Sequence, residues 1–245
     1  MIRALVVQAR MTSTRLPGKV MLDLAGRPLL ERQLERLRRC TEADEIVLAV
    51  TTNPDDEPLV ALARRLDLRW YRGSEHDVLS RYLGAAHETE AELVVRVTSD
   101  CPLIDPVETD VVIAALRERP GRDYASNTLE RRLPRGLDTE ALWADVLERV
   151  ARMATSAPAR EHVTWFCHTE RPDLFELHSV LRPFDAQDLR WTVDTEEDLA
   201  LVRRLYEDLA LAERDVPVKD VIAHVRAHPE LATINAHVAQ KDAAA

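Results

Sequence analysis

The stretch VVQARMTSTRLPGK, residues 6–19, is the one from which the rest of the chain is read. An apolar run with β character, Ala4, Leu5, Val6 and Val7, ends in a loop that gathers Arg10, Arg15 and Lys19, and no acid occurs before Asp23. In a chain of net charge −10, an acid-free cationic loop at the end of a buried strand calls for an anionic partner, and polyphosphate suits it best. Neither G-x-x-x-x-G-K-[ST] nor G-x-G-x-x-G occurs, and only Gly18 is available to relax the backbone. Side chains must therefore supply much of the phosphate binding. Thr12, Ser13 and Thr14 add hydroxyl donors, and Pro17-Gly18 forces a turn that aims Lys19 back toward the strand end. The alternative is a solvated basic loop ahead of a helix.

Working outward, residues 28–39 show helical spacing, 45–51 (EIVLAVT) read as a second strand, and 55–66 as a helix with an acidic first turn. Residues 68–71 read as a short third strand and 93–97 (LVVRV) as a fourth. Strands apolar on both faces, alternating with helices, imply a parallel sheet wrapped by helices. Between the third and fourth strands lies GSEHDVLSRY, residues 73–82, where Asp77 and Arg81 sit four apart on a helix's first turns, the spacing of an ordinary surface ion pair. The fourth strand runs into TSDCPLIDP, residues 98–106. This puts Asp100 at the carboxyl end of a strand, where open α/β sheets gather ligands and where a carboxylate can hold magnesium against phosphate oxygens; a helix cap or turn is the alternative.

Residues 107–117 read as a helix closed by Pro120-Gly121. Residues 123–140 then become irregular and hairpin-like, with Arg135 on a turn beside Gly136. A turn arginine can clamp a carboxylate or simply be solvated. Helical spacing returns over 141–153 and over 160–168, where Arg160-Glu161-His162 opens the second helix; a lone histidine such as His162 is more often structural than catalytic. Residues 176–181 and 189–193 (LRWTV) read as strands, the latter leading into DTEEDL, in which Asp194 ends the strand and Thr195 can cap the helix that follows. The tail from 217 to 245 reads as a helix over 218–225, a turn at His228-Pro229, and a frayed end.

Four of these segments carry a resemblance. R-x-x-S-T-R-L-P-G-K, G-S-x-x-D-V-L-x-R-Y and the D-x-P-L and V-D-T-x-E-D-L strings resemble the cytidylyltransferases that make CMP-activated 2-keto sugar acids: CMP-Kdo synthetase, above all the spore-coat polysaccharide SpsF branch, and more distantly CMP-sialic acid synthetase. The likeness extends over most of the chain and includes Cys101 and the R-E-H-V-T string of the SpsF branch. It implies a Rossmann-like three-layer αβα nucleotidyltransferase fold (GT-A-like) with a mainly parallel sheet, as one domain over 1–245 with 123–140 as an inserted hairpin-like arm for substrate and dimer contacts. It also implies that Arg10 and Lys19 act on the triphosphate of CTP, supported by Arg15 and Ser13. Ser74, Asp77 and Arg81 would lie near cytosine or ribose, Arg135 and His162 near the sugar acid, and Asp100 and Asp194 would hold Mg2+. The expected reaction transfers CMP from CTP to a nonulosonic or Kdo-like sugar acid, with pyrophosphate released, in a homodimer serving surface polysaccharide synthesis.

Bulk properties bound the same reading. At 245 residues the chain can bury a sizeable core, and its acidic balance argues against nucleic acid or an anionic membrane as partner. Cys40, Cys101 and Cys167 lie far apart without C-x-x-C spacing, which fits reduced thiols in the cytoplasm and argues against a zinc site. No leader and no apolar run of membrane-spanning length is expected. Two rival functions stay open from the residues: another nucleotide-sugar pyrophosphorylase or metal-dependent glycosyltransferase, and a nucleotide-binding protein without chemistry.

Overall fold

Alternate residues of the first strand, β1 (Arg3–Gln8), face opposite cores in the computed structural model, which describes residues 1–240. Ala4, Leu5, Val6 and Val7 are all fully buried. Leu5 and Val7 pack under one helical layer, Ala4 and Val6 under another. That two-sided burial is what a continuous apolar strand demands, at about 1.5–3 kcal/mol per fully buried aliphatic side chain.

In chain order, β1 is followed by the small hairpin β2 (Asp23–Leu24) and β3 (Arg27–Pro28), then α1 (Leu29–Leu37), β4 (Glu45–Thr51), α2 (Glu57–Arg65), β5 (Arg69–Gly73), α3 (Val78–Glu88), β6 (Leu93–Thr98) and α4 (Pro106–Arg117). Next come β7 (Tyr124–Ser126), β8 (Glu140–Trp143), α5 (Ala144–Met153), α6 (Ala157–His162), β9 (Leu177–Ser179), α7 (Glu196–Asp208), α8 (Val218–Ala227) and α9 (Pro229–Thr233). The main sheet has the order β5-β4-β1-β6-β8-β7-β9. β5, β4, β1 and β6 are parallel, β8 is antiparallel to β6 and β7, and β9 is parallel to β7.

Helices α1, α2 and α4 cover one face and α3 and α5 the other, giving three layers, while α7 and α8 close a third core around Leu133, Trp191 and Val193. The chain winds from β1 outward through β4 to β5 and then returns to place β6 on the other side of β1. The crevice at the carboxyl ends of β1 and β6 is thus the switch point at which such sheets bind ligands.

Several expectations need correction. Residues 189–193 form no strand: the segment is tied to the loop before β8 by a single parallel bridge between Arg135 and Arg190. Its alternation still reports burial, since Leu189, Trp191 and Val193 are buried. The helix expected from 141 begins at Ala144, because Glu140–Trp143 is β8, with Ala141 and Leu142 in opposite cores. The helix expected over 160–168 breaks at Val163, whose φ of 57° is rare for a β-branched residue, and a π-turn over Phe166–Glu170 follows. Residues 123–140 contribute β7 and the start of β8 to the main sheet, joined by an irregular loop. In the tail α9 follows the turn at His228-Pro229; the frayed end expected over 241–245 lies outside the described residues.

Candidate active site

The basic loop owes its shape to a buried acid. Asp56 is fully buried and accepts hydrogen bonds from the Met11 N–H (2.7 Å), the Thr51 N–H (3.0 Å) and the Thr51 hydroxyl (2.5 Å), which pins the loop to the end of β4. The loop then folds back on itself, the Gly18 N–H donating to the Met11 carbonyl at 3.0 Å. Gly18 sits at φ 68°, the left-handed region that glycine enters without penalty, and this turn sends Lys19 inward. Arg10 stays 40% exposed at its side chain, 4.0 Å from Glu75.

Lys19 is only 8% exposed, and its ammonium donates to three oxygens, each at 2.8 Å: Asp100 Oδ2, Asp194 Oδ1 and the Val193 carbonyl. Two aspartates remote in sequence therefore meet at one cation. A backbone stitch brings them together, the Val193 N–H donating to the Asp100 carbonyl at 2.8 Å. Gln33 of α1 fixes the other side, donating to the Thr98 carbonyl (2.6 Å) and accepting from the Cys101 N–H (3.0 Å). The remaining oxygens are occupied. Asp100 Oδ1 accepts from the Thr98 hydroxyl at 2.7 Å, while Asp194 Oδ2 meets Arg15 at 2.8 Å and Arg190 at 2.6 Å. Burial alone would raise the Asp100 pKa, but the Lys19 ammonium and its hydrogen bonds outweigh it and hold the carboxyl well below the usual range. Burial likewise works against the Lys19 charge, and the two aspartates more than offset it, raising its pKa.

The capping alternatives for these aspartates are taken by other residues. Asp105 caps α4, accepting from the N–H groups of Val107 (2.9 Å) and Glu108 (3.1 Å). Thr195 and Asp198 form a reciprocal capping box at α7. Asp100 and Asp194 face the crevice instead, within two hydrogen-bond lengths of each other across Lys19. A pair of carboxylates so close suits one small hard cation whose other ligands are water and phosphate oxygens. Among the described residues no group of three or more His, Cys, Asp or Glu side chains gathers into a closed metal cage.

The crevice opens into a cavity of about 590 Å³. Arg10, Ser13, Arg15, Lys19, Asp100 and Asp194 line it together with Arg81, Arg131, Arg135, His162, Trp165 and His168. Such a volume is in the range of ordinary ligand pockets. Arg81 is 2% exposed and has no carboxylate within ion-pairing distance among the described residues; one guanidinium nitrogen donates to the Ser74 carbonyl at 2.9 Å and its buried Nε has no partner. Ser74 and Asp77 do not line the cavity. The Asp77 carboxylate caps α3 through the Ser80 N–H (2.9 Å) and pairs with Arg160, so the Asp77–Arg81 ion pair that the spacing offered as an alternative does not form.

Glu140, also in the lining, accepts through Oε2 from Arg96 at 2.7 Å and from the Thr164 hydroxyl at 2.8 Å. Thr164 follows the kink at Val163, so this contact fastens the segment carrying His162 and Trp165 to β8. Arg131 is held in a two-pronged pair by Asp138, and Arg135 makes no ion pair among the described residues. Gln33, Arg96, Glu140, Thr164 and Arg190 were not picked out from the sequence. The signals the sequence offered were charged residues inside runs with strand character, Arg96 within LVVRV and Arg190 within LRWTV.

Comparisons with known proteins agree with this fold. A family model described as cytidylyltransferase matches residues 4–216. The spore coat polysaccharide biosynthesis protein SpsF of Bacillus subtilis is 32% identical over 235 residues, 93% of this chain and 95% of that protein. A solved cytidylyltransferase from Leptospira borgpetersenii superimposes with a TM-score of 0.88 at 27% identity, covering 95% of this chain and 97% of that one. The structure of CMP:2-keto-3-deoxy-manno-octonic acid synthetase complexed with CTP superimposes with a TM-score of 0.65 over 84% of this chain and 99% of that one, and at 19% identity the likeness is one of fold.

Proposed function

Because this chain belongs to the cytidylyltransferase family, we propose that it is a magnesium-dependent CMP-sugar synthetase that transfers CMP from CTP to a Kdo-like or nonulosonic sugar acid. The observation that carries this reading is the meeting of Lys19, Asp100 and Asp194 in the wall of a cavity that several arginines also line. An acceptor hydroxyl oxygen attacks the α-phosphorus, the bond from that phosphorus to the α,β-bridging oxygen breaks, pyrophosphate leaves, and the hydroxyl proton passes to solvent.

Arg10, Arg15 and Lys19 bind the triphosphate and stabilise charge on the departing pyrophosphate. Asp100 and Asp194 would hold Mg2+, which when bound neutralises phosphate charge and acidifies the attacking hydroxyl. Arg81, buried with donor capacity left over, is suited to the acceptor-rich edge of cytosine, with Ser74 and Asp77 positioning it and α3. Arg135 is suited to the sugar carboxylate and His162 to its hydroxyls. The likeness to SpsF, a spore coat polysaccharide biosynthesis protein, supports a product used in surface polysaccharide synthesis, and a cytoplasmic homodimer is the form proposed. Among the described residues no helix is long and apolar enough to cross a membrane.

Thermal shift with Mg2+ and each of CTP, UTP, ATP and GTP tests the base choice. A hundredfold excess of CTP over Kd should add about 2.7 kcal/mol of stability, and equal shifts with all four would sink the cytidylyl reading. Pyrophosphate release with a panel of sugar acids then identifies the acceptor.

A further inference from the structure

Thirty of the 33 basic residues of this chain are arginine; the three lysines are Lys19, Lys219 and Lys241. The buried cation at the two aspartates is nevertheless a lysine, a compact point charge on a flexible stem rather than a planar fork. Its three N–H donors are matched by three oxygens, so it has no donor left for a phosphate in this arrangement. The carboxylates are equally committed: the outer oxygen of Asp100 is held by Thr98 and that of Asp194 by Arg15 and Arg190. The two oxygens that could share a metal ion are the same two that grip the ammonium.

The geometry points to Lys19 as the stand-in for the divalent cation in the nucleotide-free protein: its ammonium holds Asp100 and Asp194 together and blocks the metal position until a triphosphate offers it other oxygens. This inference rests on the reading of the two aspartates as metal ligands. Without a cation between them the carboxylates would repel, and with a metal alone the ammonium would be left buried beside a like charge. Neither half-exchange is favourable. The exchange therefore runs to completion only when metal and nucleotide arrive together, the ammonium moving onto phosphate oxygens as the metal takes its place. The free protein should bind Mg2+ weakly and couple metal binding to nucleotide binding.

Two experiments test this. With ¹³C-labelled lysine the wild-type protein gives three side-chain ε signals, of which Lys19 is assigned by substitution. Millimolar Mg2+ alone should leave the Lys19 signal in place, and Mg2+ with α,β-methylene-CTP should move it; movement with Mg2+ alone to the same final position would overturn the exchange. In the second, Mn2+ binding is followed by electron paramagnetic resonance without nucleotide. Lys19→Met should bind Mn2+ at least tenfold more tightly than wild type, and adding Asp194→Asn should abolish that gain. Equal affinities in wild type and Lys19→Met refute the stand-in role. If Mn2+ binds neither protein at an aspartate-dependent site, even with α,β-methylene-CTP, the metal reading itself falls and takes this inference with it. Should Lys19→Met fail to fold without metal, the labelled wild-type protein still decides the question.

Discussion

Replacing aspartates in pairs separates the chemistry of the crevice from the capping of its helices. Asp100→Asn keeps size and one acceptor but removes the charge facing Lys19, while Lys19 keeps Asp194 and the Val193 carbonyl. The loss in stability should thus stay below the roughly 3–5 kcal/mol of an orphaned buried charge. About 1–2 kcal/mol is expected, the difference between a charged and a neutral hydrogen bond. Turnover should fall by at least a hundredfold, about 2.7 kcal/mol of transition-state stabilisation, and Asp194→Asn should behave alike. The pair should be non-additive, since one ligand has little to position once the other is gone. Asp105→Asn gives the contrast. Its Oδ1 can still cap α4, but its Oδ2, which accepts from the Val218 N–H at 3.0 Å, becomes an amide donor facing a donor. That variant should lose about 1–3 kcal/mol of stability and keep near-normal turnover. Pyrophosphate release and denaturant unfolding on the three proteins read both quantities. If Asp100→Asn and Asp194→Asn turn over normally, the metal assignment fails.

Further outcomes follow from other contacts. Because the Asp100 pKa is lowered on folding, its pairing stabilises the protein above the unfolded value of about 3.9 and is lost as pH falls through the folded value. Because the Lys19 pKa is raised, its share is present below the unfolded value of about 10.4 and is lost as pH rises through the folded one. The stability difference between wild type and Asp100→Asn should accordingly be flat across the neutral range and shrink at the acid end, as read by unfolding at a series of pH values. Thr164→Val should cost about 1.5–3 kcal/mol by removing a hydroxyl donor from a buried carboxylate and raise KM for the sugar acid without changing CTP affinity, with Thr164→Ser restoring both. Gly136→Ala should destabilise the protein and depress turnover together, since at φ 102° the new methyl would lie 2.6 Å from the backbone nitrogen of Thr192, in the segment leading to Asp194. Light scattering at micromolar concentration should show a homodimer.

How much of this was legible in the sequence divides along a physical line. Residues whose burial is set by their own segment announced themselves: the apolar runs of β1, β4 and β6 read correctly, and the cationic loop could be recognised by composition. What pairs with what could not be read. LRWTV at 189–193 has the alternation of a strand and buries its alternate residues, yet it carries one bridge and no ladder. Period reports which face is covered, not which backbone lies alongside. EALW at 140–143 was hidden because its alanine and leucine continue the helical spacing of the residues after it. The kink at Val163 runs against the preference of a β-branched side chain, so no local rule could have placed it; the contact of the next residue with Glu140 helps hold it.

The same limit applies within the site, and it shows why the string V-D-T-E-E-D at 193–198 is ambiguous as sequence. Any of its acids could stabilise the amino end of a helix, and propensity alone favours no division of labour. The fold assigns the work by position. Thr195 and Asp198 satisfy each other across the first turn of α7, and Asp198 further accepts from the Asp194 N–H at 2.9 Å and pairs with Arg190. That leaves the Asp194 side chain free of backbone duty, oriented by two arginines from behind and aimed at Lys19. A carboxylate relieved of capping by its neighbours and steered by cations on its far oxygen is left facing the crevice, which is the position the proposed metal role requires. The contribution of Arg190 follows directly: it is the residue that lets an acid at a helix start face away from the helix.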